Sequence, residues 1–224
     1  MDPNQHYKHG STQIHALPRG PLETNCYIAI DTVNRRALIV DTPCDSSEDI
    51  LRRISGFTTE AIVLTHGHWD HTGDADEVAR LCGAPILIGA ADEHMLVTPQ
   101  TYGFPLPRPL LGRNADRLVR GGDTVECGTM RFEVLDIPGH TAGHIGLYES
   151  HLGILFAGDV LFRGGIGRSD LPGGSYDTLL ESITRTLLHL PSHTIVYPGH
   201  GDPTTIGDEA SRNPFILDYL DHFG

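Results

Sequence analysis

The chain has 224 residues, of which 39% are hydrophobic and 20% are charged, and its formal net charge is −13. These values are ordinary for a globular protein, and the length is enough to bury one sizeable core, so residues 1–224 are expected to form a single domain. The acidic balance argues against nucleic-acid binding, which depends on basic surfaces, and no apolar run approaches the roughly 20 residues of a membrane span.

The amino-terminal segment and the cysteines bear on the cellular compartment. Residues 1–20 are polar and lack the apolar core of a secretory signal, which favours a cytoplasmic location. We accordingly expect neither a nucleic acid nor a membrane as a partner, while the oligomeric state stays open. Four widely spaced cysteines without a C-x-x-C pair are typical of reduced, mostly buried thiols: Cys26, Cys44, Cys82 and Cys127.

In chain order, the first half alternates predicted strands with predicted helices. Apolar and alternating segments predict strands at residues 12–18, 25–31, 35–41, 60–65 and 84–89. The first helix is predicted over residues 46–57, with Ser46 or Ser47 as its cap and basic residues in its last turn. The second is predicted over residues 74–83, because apolar side chains recur at helical spacing and Gly83 follows them.

The second half follows a segment rich in proline and glycine, residues 95–115, which is predicted to be an irregular loop and is interpreted as a lid. An amphipathic helix capped by Ser175 is predicted over residues 175–190, and a C-terminal helix over 207–222. Further strands are predicted at residues 130–139, 144–150, 153–159 and 194–201. Strands and helices in both halves predict a β-sandwich flanked by helices, an α/β fold.

The segment LTHGHWDHTG, residues 64–73, concentrates side chains that bind metals. His66 and His68 are two positions apart, so on an extended loop they can point the same way. Asp70 and His71 follow at the start of a helix, so one loop can supply two adjacent metal ions. Imidazole and carboxylate ligands together suit zinc, iron or manganese.

Three later strands each end in another side chain of the same kind. The segments VLDIPGH, ILFAGD and IVYPGH end at His140, Asp159 and His200. Strands that end on such residues place them at one edge of a sheet, where a rigid scaffold positions the loops that hold catalytic and binding residues. Together with the opening cluster, they predict a metal site.

Two further residues are candidates for a supporting role. Asp41, at the end of the strand ALIVD, is positioned to anchor a ligand loop through hydrogen bonds. His144, four residues after His140, is interpreted either as a support for a ligand or as a structural residue.

The pattern T-H-x-H-x-D-H, followed by G-H, G-D and G-H, resembles the metallo-β-lactamase superfamily. The segments GDVLFRGGIGRSDLPGG and TTIGDEASRNPF resemble its short glyoxalase-II-like members, which are similar to hydroxyacylglutathione hydrolase. The resemblance covers nearly the whole chain. It implies an αββα sandwich with the metals at one edge.

The resemblance also implies a set of ligands for two divalent metal ions, with zinc expected and iron or manganese as alternatives. It assigns His66, His68 and His140 to the first metal, Asp70, His71 and His200 to the second, and Asp159 to a bridging position. Members that hydrolyse β-lactams typically lack an aspartate at the bridging position, so the resemblance argues against antibiotic hydrolysis.

Two departures from full-length glyoxalase II concern the carrier thiol. Only 24 residues follow His200, so the C-terminal helical domain that supplies basic residues to glutathione is expected to be missing. Where the longer enzymes contact glutathione through a lysine and then a tyrosine, this chain has Arg168 and Asp170. Arg168 is a candidate for binding a substrate carboxylate, and the identity of the carrier thiol stays open.

The resemblance implies a thioester hydrolase that releases a 2-hydroxy acid. A hydroxide bridging two metals would attack the thioester carbonyl, with Asp70 and Asp159 orienting the water as well as binding metal. A thiolate leaves readily, since the pKa of a free thiol is about 8.5, so no separate general acid is required.

Two alternatives remain within the same fold. A persulfide dioxygenase would use one iron ion held by His66, His140 and Asp159, and a lactonase would use the same two-metal chemistry as the thioesterase. Metal stoichiometry and oxygen consumption distinguish the dioxygenase from the hydrolases.

Overall fold

Two large β-sheets form the centre of the protein, in a computed structural model that describes residues 6–106 and 108–223. The first sheet has seven strands in chain order, antiparallel from the first to the fourth and parallel from the fourth to the seventh. They are β1 (His6–His9), β2 (Thr12–Arg19), β3 (Thr24–Asp31), β4 (Arg36–Val40), β5 (Thr58–Leu64), β6 (Ile86–Gly89) and β7 (Arg117–Val119).

The second sheet has six strands in the order β15-β14-β11-β10-β9-β8. These are β8 (Thr124–Cys127), β9 (Met130–Asp136), β10 (Ile145–Glu149), β11 (Ile154–Gly158), β14 (Ile195–Pro198) and β15 (Thr204–Thr205). Between β11 and β14, a small hairpin pairs β12 (Leu161–Phe162) with β13 (Gly165–Ile166). Strands β9, β11 and β14 run in the same direction, so their carboxyl ends lie at one edge of the sheet.

Helices cover the outer faces of both sheets. In chain order they are α1 (Ser47–Arg53), α2 (Trp69–Thr72), α3 (Ala75–Cys82), α4 (Glu93–Val97), α5 (Tyr176–Arg185), α6 (Ile206–Arg212) and α7 (Pro214–Phe223). Short 3₁₀ helices occupy Ala90–Asp92 and Leu187–His189. Among the residues described, no helix is long and apolar enough to cross a membrane.

The buried apolar side chains form three layers that follow the alternation of the strands. Leu38 and Val40 of β4 belong to the cluster between the sheets, together with Phe132 and Phe156 of the second sheet. Ile39, which lies between them in the chain, belongs instead to the cluster under α1 and α3. A third cluster joins the second sheet to α5, α6 and α7. This order of layers confirms the predicted αββα sandwich.

The structure corrects several predicted boundaries. The predicted C-terminal helix is two helices, because Pro214 has no backbone N–H with which to continue α6. The helix predicted over residues 175–190 ends at Arg185 and continues only as a 3₁₀ turn. The predicted loop 95–115 begins inside α4, which extends to Val97.

The predicted serine cap of α1 is also wrong. The hydroxyl of Ser46 donates instead to the carbonyl of Pro43 at 2.6 Å. The carboxylate of Asp74, which precedes α3, accepts the backbone N–H groups of Ser46 and Ser47 at 2.9 Å each. A residue 27 or 28 positions away therefore satisfies the free donors of this helix.

Asp31 joins the two sheets at the end of β3. The side chain is fully buried, and Oδ1 accepts the backbone N–H groups of Val33 and Asn34 at 3.0 and 2.9 Å. Oδ2 accepts the N–H and the hydroxyl of Thr129, each at 2.8 Å, in the turn between β8 and β9. Burial by itself would raise the pKa of Asp31, but these donors hold it well below its ordinary value.

Replacing this carboxylate tests its contribution to stability. We expect Asp31→Asn to lower the free energy of unfolding by about 2 kcal/mol at pH 7, since an amide NH₂ would face N–H donors. A depressed native pKa stabilises the fold above the unfolded pKa, about 4, and that stabilisation is lost as the pH falls toward the native value. Urea unfolding of metal-free protein at several pH values should therefore show the difference from wild type shrinking in acid.

The control is Glu133→Gln, which changes an exposed carboxylate on β9. It should leave the free energy of unfolding unchanged within about 0.5 kcal/mol. A difference between Asp31→Asn and wild type that does not vary with pH would contradict this account.

Candidate metal centre

Seven side chains from four strand ends meet at one edge of the two sheets. His66 and His68 follow β5, and Asp70 and His71 lie in the short helix α2 directly after them. The remaining three follow strands β9, β11 and β14, whose carboxyl ends lie together: His140, Asp159 and His200. The structure thus brings together all seven residues that the resemblance implied as ligands.

The first group, which we call the first trio, consists of His66, His68 and His140. The Nδ1 atom of His68 lies 3.0 Å from Nε2 of His66 and 2.8 Å from Nε2 of His140. All three side chains are buried, and one ligand atom from each lies within 4.8 Å of the others. Three nitrogens on three different loop positions therefore converge on one point, as a metal requires.

The second trio consists of Asp70, His71 and His200. The Oδ2 atom of Asp70 lies 3.5 Å from Nε2 of His71 and 3.4 Å from Nε2 of His200. His71 is fully buried, whereas the side chain of His200 is 29% exposed and borders the solvent. The second trio is therefore the more open of the two.

Asp159 lies between the two trios. Its Oδ2 atom is 3.6 Å from Nε2 of His140 and 3.4 Å from Nε2 of His200. Its Oδ1 atom is 3.4 Å from Nε2 of His71. One carboxylate faces both trios at once, which is the position that a bridging ligand would take.

Two buried atoms at this junction lack hydrogen-bond partners. Nε2 of His71 and Oδ1 of Asp159 are both shielded from solvent and, although they lie 3.4 Å apart, make no hydrogen bond in the described structure. Buried polar atoms are normally paired, and an imidazole nitrogen and a carboxylate oxygen are ligands for a divalent cation. The residues present therefore fit metal ions of this kind.

Asp41 and Thr65 orient two of the imidazoles. Oδ2 of Asp41 lies 2.8 Å from Nδ1 of His71, and the hydroxyl of Thr65 lies 3.0 Å from Nδ1 of His66. Asp41 in turn accepts the N–H and the hydroxyl of Thr65 at 2.8 and 2.9 Å. Such contacts leave each Nε2 free to bind a metal. Asp41 thus lies where the sequence predicted a supporting residue.

Backbone carbonyls orient two further imidazoles. Nδ1 of His140 lies 2.7 Å from the carbonyl oxygen of Arg168, and Nδ1 of His200 lies 3.1 Å from that of Leu22. In each ring the nitrogen opposite this contact faces the trio. Arg168 therefore supports the site through its backbone, a role that the sequence did not predict.

His144 contacts the site without belonging to either trio. Its Nε2 accepts the backbone N–H of Asp159 at 3.0 Å. Its ring stacks on His66, with centroids 4.7 Å apart and planes at 17°. His144 therefore packs between the bridging aspartate and the first trio, which favours the interpretation as a support.

The two trios differ in charge. Burial, followed by the neighbouring imidazoles, lowers the pKa of His66 well below its ordinary value and that of His68 to about 4. Burial also opposes protonation of His71 and His200. The carboxylates of Asp159 and Asp70 outweigh it, so the pKa of His71 is raised well above its ordinary value and that of His200 to about 9. His66 and His68 of the first trio are thus neutral imidazoles, while Asp70 and Asp159 bring carboxylate charge to the second trio.

Asp92, in the 3₁₀ helix after β6, links the loops of the first trio. Its fully buried carboxylate accepts the N–H of Gly67 at 3.1 Å and that of Gly143 at 2.7 Å. It also accepts the hydroxyl of Thr141 at 2.6 Å. The sequence analysis missed this residue, because its three partners are remote in the chain and an Asp before a helix is ordinarily a cap.

Two residues at the start of β3 hold the second trio. The hydroxyl of Thr24 donates to Oδ2 of Asp70 at 2.9 Å. The side-chain amide of Asn25 donates to the carbonyls of Pro198 and Gly201 at 3.0 and 2.9 Å, on either side of His200. These contacts join the first sheet to the loop after β14, and the sequence contains no local pattern that predicts them.

A cavity of about 720 Å³ opens over the two trios. The segment 101–105, from the predicted lid, forms part of its wall together with Trp69 of α2. The ring of Phe104 stacks on Trp69 with centroids 5.0 Å apart. The predicted lid residues therefore line the site, and their closure over a substrate stays a prediction.

Comparison with known proteins agrees with this geometry. Residues 19–200 match the model of a family described as the metallo-beta-lactamase superfamily. The chain is 37% identical to the probable metallo-hydrolase YqgX of Bacillus subtilis, with 89% of this chain and 95% of that protein covered. It is 36% identical to the hydroxyacylglutathione hydrolase GloC of Haemophilus influenzae, with 91% and 97% covered.

Three solved structures are similar over nearly their whole length. BLEG-1, described as a B3 metallo-beta-lactamase, has a TM-score of 0.84 and 37% identity, with 91% of this chain and 99% of that chain covered. TTHA1623, solved in a di-iron-bound form, has a TM-score of 0.74 and 34% identity, with 89% and 98% covered. ETHE1 from Myxococcus xanthus has a TM-score of 0.76 and 25% identity, with 94% and 91% covered.

Replacing Asp92 by asparagine tests whether its carboxylate holds the loops of the first trio together. We expect Asp92→Asn to weaken metal binding about tenfold, because the amide NH₂ would face a donor and the loops of the first trio would separate. Metal per chain after dialysis, measured by plasma mass spectrometry, should fall while the far-ultraviolet circular dichroism stays that of the folded protein. The control is Glu93→Gln in the next position, and unchanged metal content in Asp92→Asn would contradict the role.

Proposed function

The chain belongs to the metallo-β-lactamase superfamily, and from this membership we propose a specific activity for its metal-dependent hydrolase site. The protein cleaves thioesters of the S-(2-hydroxyacyl)glutathione type into a 2-hydroxy acid and a thiol. The similarity to GloC supports this substrate class. The position of Asp159 between the two trios carries the proposal, because a carboxylate within reach of both trios could hold two metals close enough to act on one water.

In this proposal the first trio would hold one divalent ion, the second trio would hold the other, and Asp159 would be available as a ligand to both. Zinc suits these nitrogen and oxygen donors, and iron and manganese are the alternatives. The di-iron form of TTHA1623 gives iron particular weight. When bound, the two ions would supply Lewis acidity, lowering the pKa of a water toward about 7 and polarising the thioester carbonyl.

The chain's own residues position the reactants. Asp70 is held by Thr24 and borders the cavity, so its carboxylate can orient the attacking water. Asp159 lines the same cavity from its position between the two trios. In the reaction, water adds its oxygen to the acyl carbon, the carbon–sulfur bond breaks, and the thiolate leaves with the bonding pair. The two protons of the water pass to the solvent, which leaves the acid as a carboxylate and can protonate the thiolate. The pKa of a thiol, about 8.5, allows this departure without a protein acid.

Purified, metal-loaded protein should hydrolyse S-lactoylglutathione, measured as release of free thiol, and should lose activity when a chelator removes the metals. Asp159→Asn should lower kcat by at least about 100-fold, because a neutral amide is a poor bridging ligand. Asp177→Asn, on the exposed side of α5, is the control and should keep full activity. Absence of thiol release from protein with two metals per chain would contradict the proposal.

Two other activities have an observation in their favour. The similarity to BLEG-1 favours β-lactam hydrolysis, although the aspartate at position 159 argues against it, and a chromogenic cephalosporin tests it. The similarity to ETHE1 and to the di-iron protein TTHA1623 supports the alternative of an iron-dependent persulfide dioxygenase. One iron per chain, with oxygen consumed on addition of glutathione persulfide, would replace the hydrolase proposal by a persulfide dioxygenase. A lactone substrate, assayed in the same way, tests the lactonase alternative.

A further inference from the structure

We propose that the cavity over the trios selects thioesters whose carrier thiol bears no carboxylate and presents an apolar surface to the cavity wall. This inference rests on the proposed thioester hydrolysis. It keeps the 2-hydroxyacyl group of the proposed substrate and replaces glutathione by a carrier thiol without carboxylates. It follows from two features of the cavity, an aromatic wall and an arginine whose charge is neutralised by pairing with an aspartate.

The aromatic wall comes from α2 and the segment 101–105. Trp69 and Phe104 stack with planes at 28°, and Tyr102 meets His68 edge-on with centroids 5.9 Å apart. Leu171 extends the apolar surface. Such a surface gains free energy by covering apolar groups and offers little to a charged peptide.

The neutralised arginine is Arg168. It is the one arginine or lysine among the described residues that line the cavity. Its guanidinium donates to both carboxylate oxygens of Asp170, with Nε to Oδ1 at 2.8 Å and Nη2 to Oδ2 at 2.7 Å. This fork is the geometry that a carboxylate of a substrate would need.

Asp170 therefore competes with any anionic substrate. Both partners of the pair are exposed, so the pair itself is weak. Asp170 acts by occupying the guanidinium of Arg168 and by repelling other anions, because a substrate carboxylate approaching Arg168 also approaches Asp170. A glutathione thioester carries two carboxylates, and the one arginine among the described residues of the cavity wall is already paired with Asp170.

The fluorescence of Trp69 reports ligand binding without requiring turnover. It is the only tryptophan in the sequence and lines the cavity. Metal-loaded protein is titrated with S-hexylglutathione and with S-hexyl-N-acetylcysteamine, two inert thioethers with the same alkyl chain. We expect the neutral thioether to bind at least about tenfold more tightly, a difference of about 1.4 kcal/mol. Equal binding, or tighter binding of S-hexylglutathione, would overturn the inference.

The variant Asp170→Ala tests the cause. By freeing Arg168, it should narrow the ratio of the two dissociation constants about threefold or more, mainly by tightening S-hexylglutathione. Asp202→Ala is the matched control, since Asp202 is an exposed carboxylate paired with Arg163 outside this cavity, and the ratio should not change. An unchanged ratio in Asp170→Ala would overturn the role of the pair.

Paired substrates separate this inference from the proposed function. S-lactoylglutathione and S-lactoyl-N-acetylcysteamine share an acyl group, and the second should have the higher kcat/KM. Hydrolysis of both with preference for the glutathione ester would leave the hydrolase proposal intact and overturn the selectivity. Hydrolysis of neither, with the thioether preference observed, would overturn the hydrolase and support the selectivity of the cavity.

Discussion

The burial of imidazoles and carboxylates at one edge of the two sheets is the constraint on which the rest of this structure depends. Ionised groups removed from water cost several kcal/mol each unless they are paired. In the first trio, burial keeps His66 and His68 neutral, as their lowered pKa values indicate. The second trio meets the constraint with opposite charges, since Asp159 and Asp70 raise the pKa of His71. The unpaired atoms left between them, on His71 and Asp159, are the ones that divalent ions would satisfy.

The supports of the site tie this local chemistry to the packing of the whole sandwich. Asp41 follows β4, Asp92 follows β6, and Thr24 begins β3, so the first sheet holds both trios in place. The ligands that follow β9, β11 and β14 come from the second sheet. The apolar cluster between the sheets fixes the distance between these two groups, which is why residues far from the site determine its geometry.

The substrate side of the site is built differently from the metal side. The cavity wall combines Trp69 with residues 101–105, an irregular segment, rather than with strand ends. Arg168 illustrates the difference, because its carbonyl orients His140 while its side chain is occupied by Asp170. The metal chemistry is thus a property of the scaffold, whereas selectivity lies in loops that can change without disturbing it.

The sequence by itself determined the layers of the sandwich and the seven candidate metal-binding residues, because strand ends of one direction bring His140, Asp159 and His200 to the edge that carries the 64–73 segment. Their division into two trios came from the family resemblance. The sequence also identified Asp41, since that residue ends an apolar strand in the same way. Only the tertiary structure decided the roles of Asp92 and Asn25, whose partners are up to 51 and 176 residues away. It also decided that Asp74, and not a local serine, caps α1. Strand and helix periodicity is a local property of the chain, whereas a hydrogen bond between remote loops exists only after the two sheets have packed.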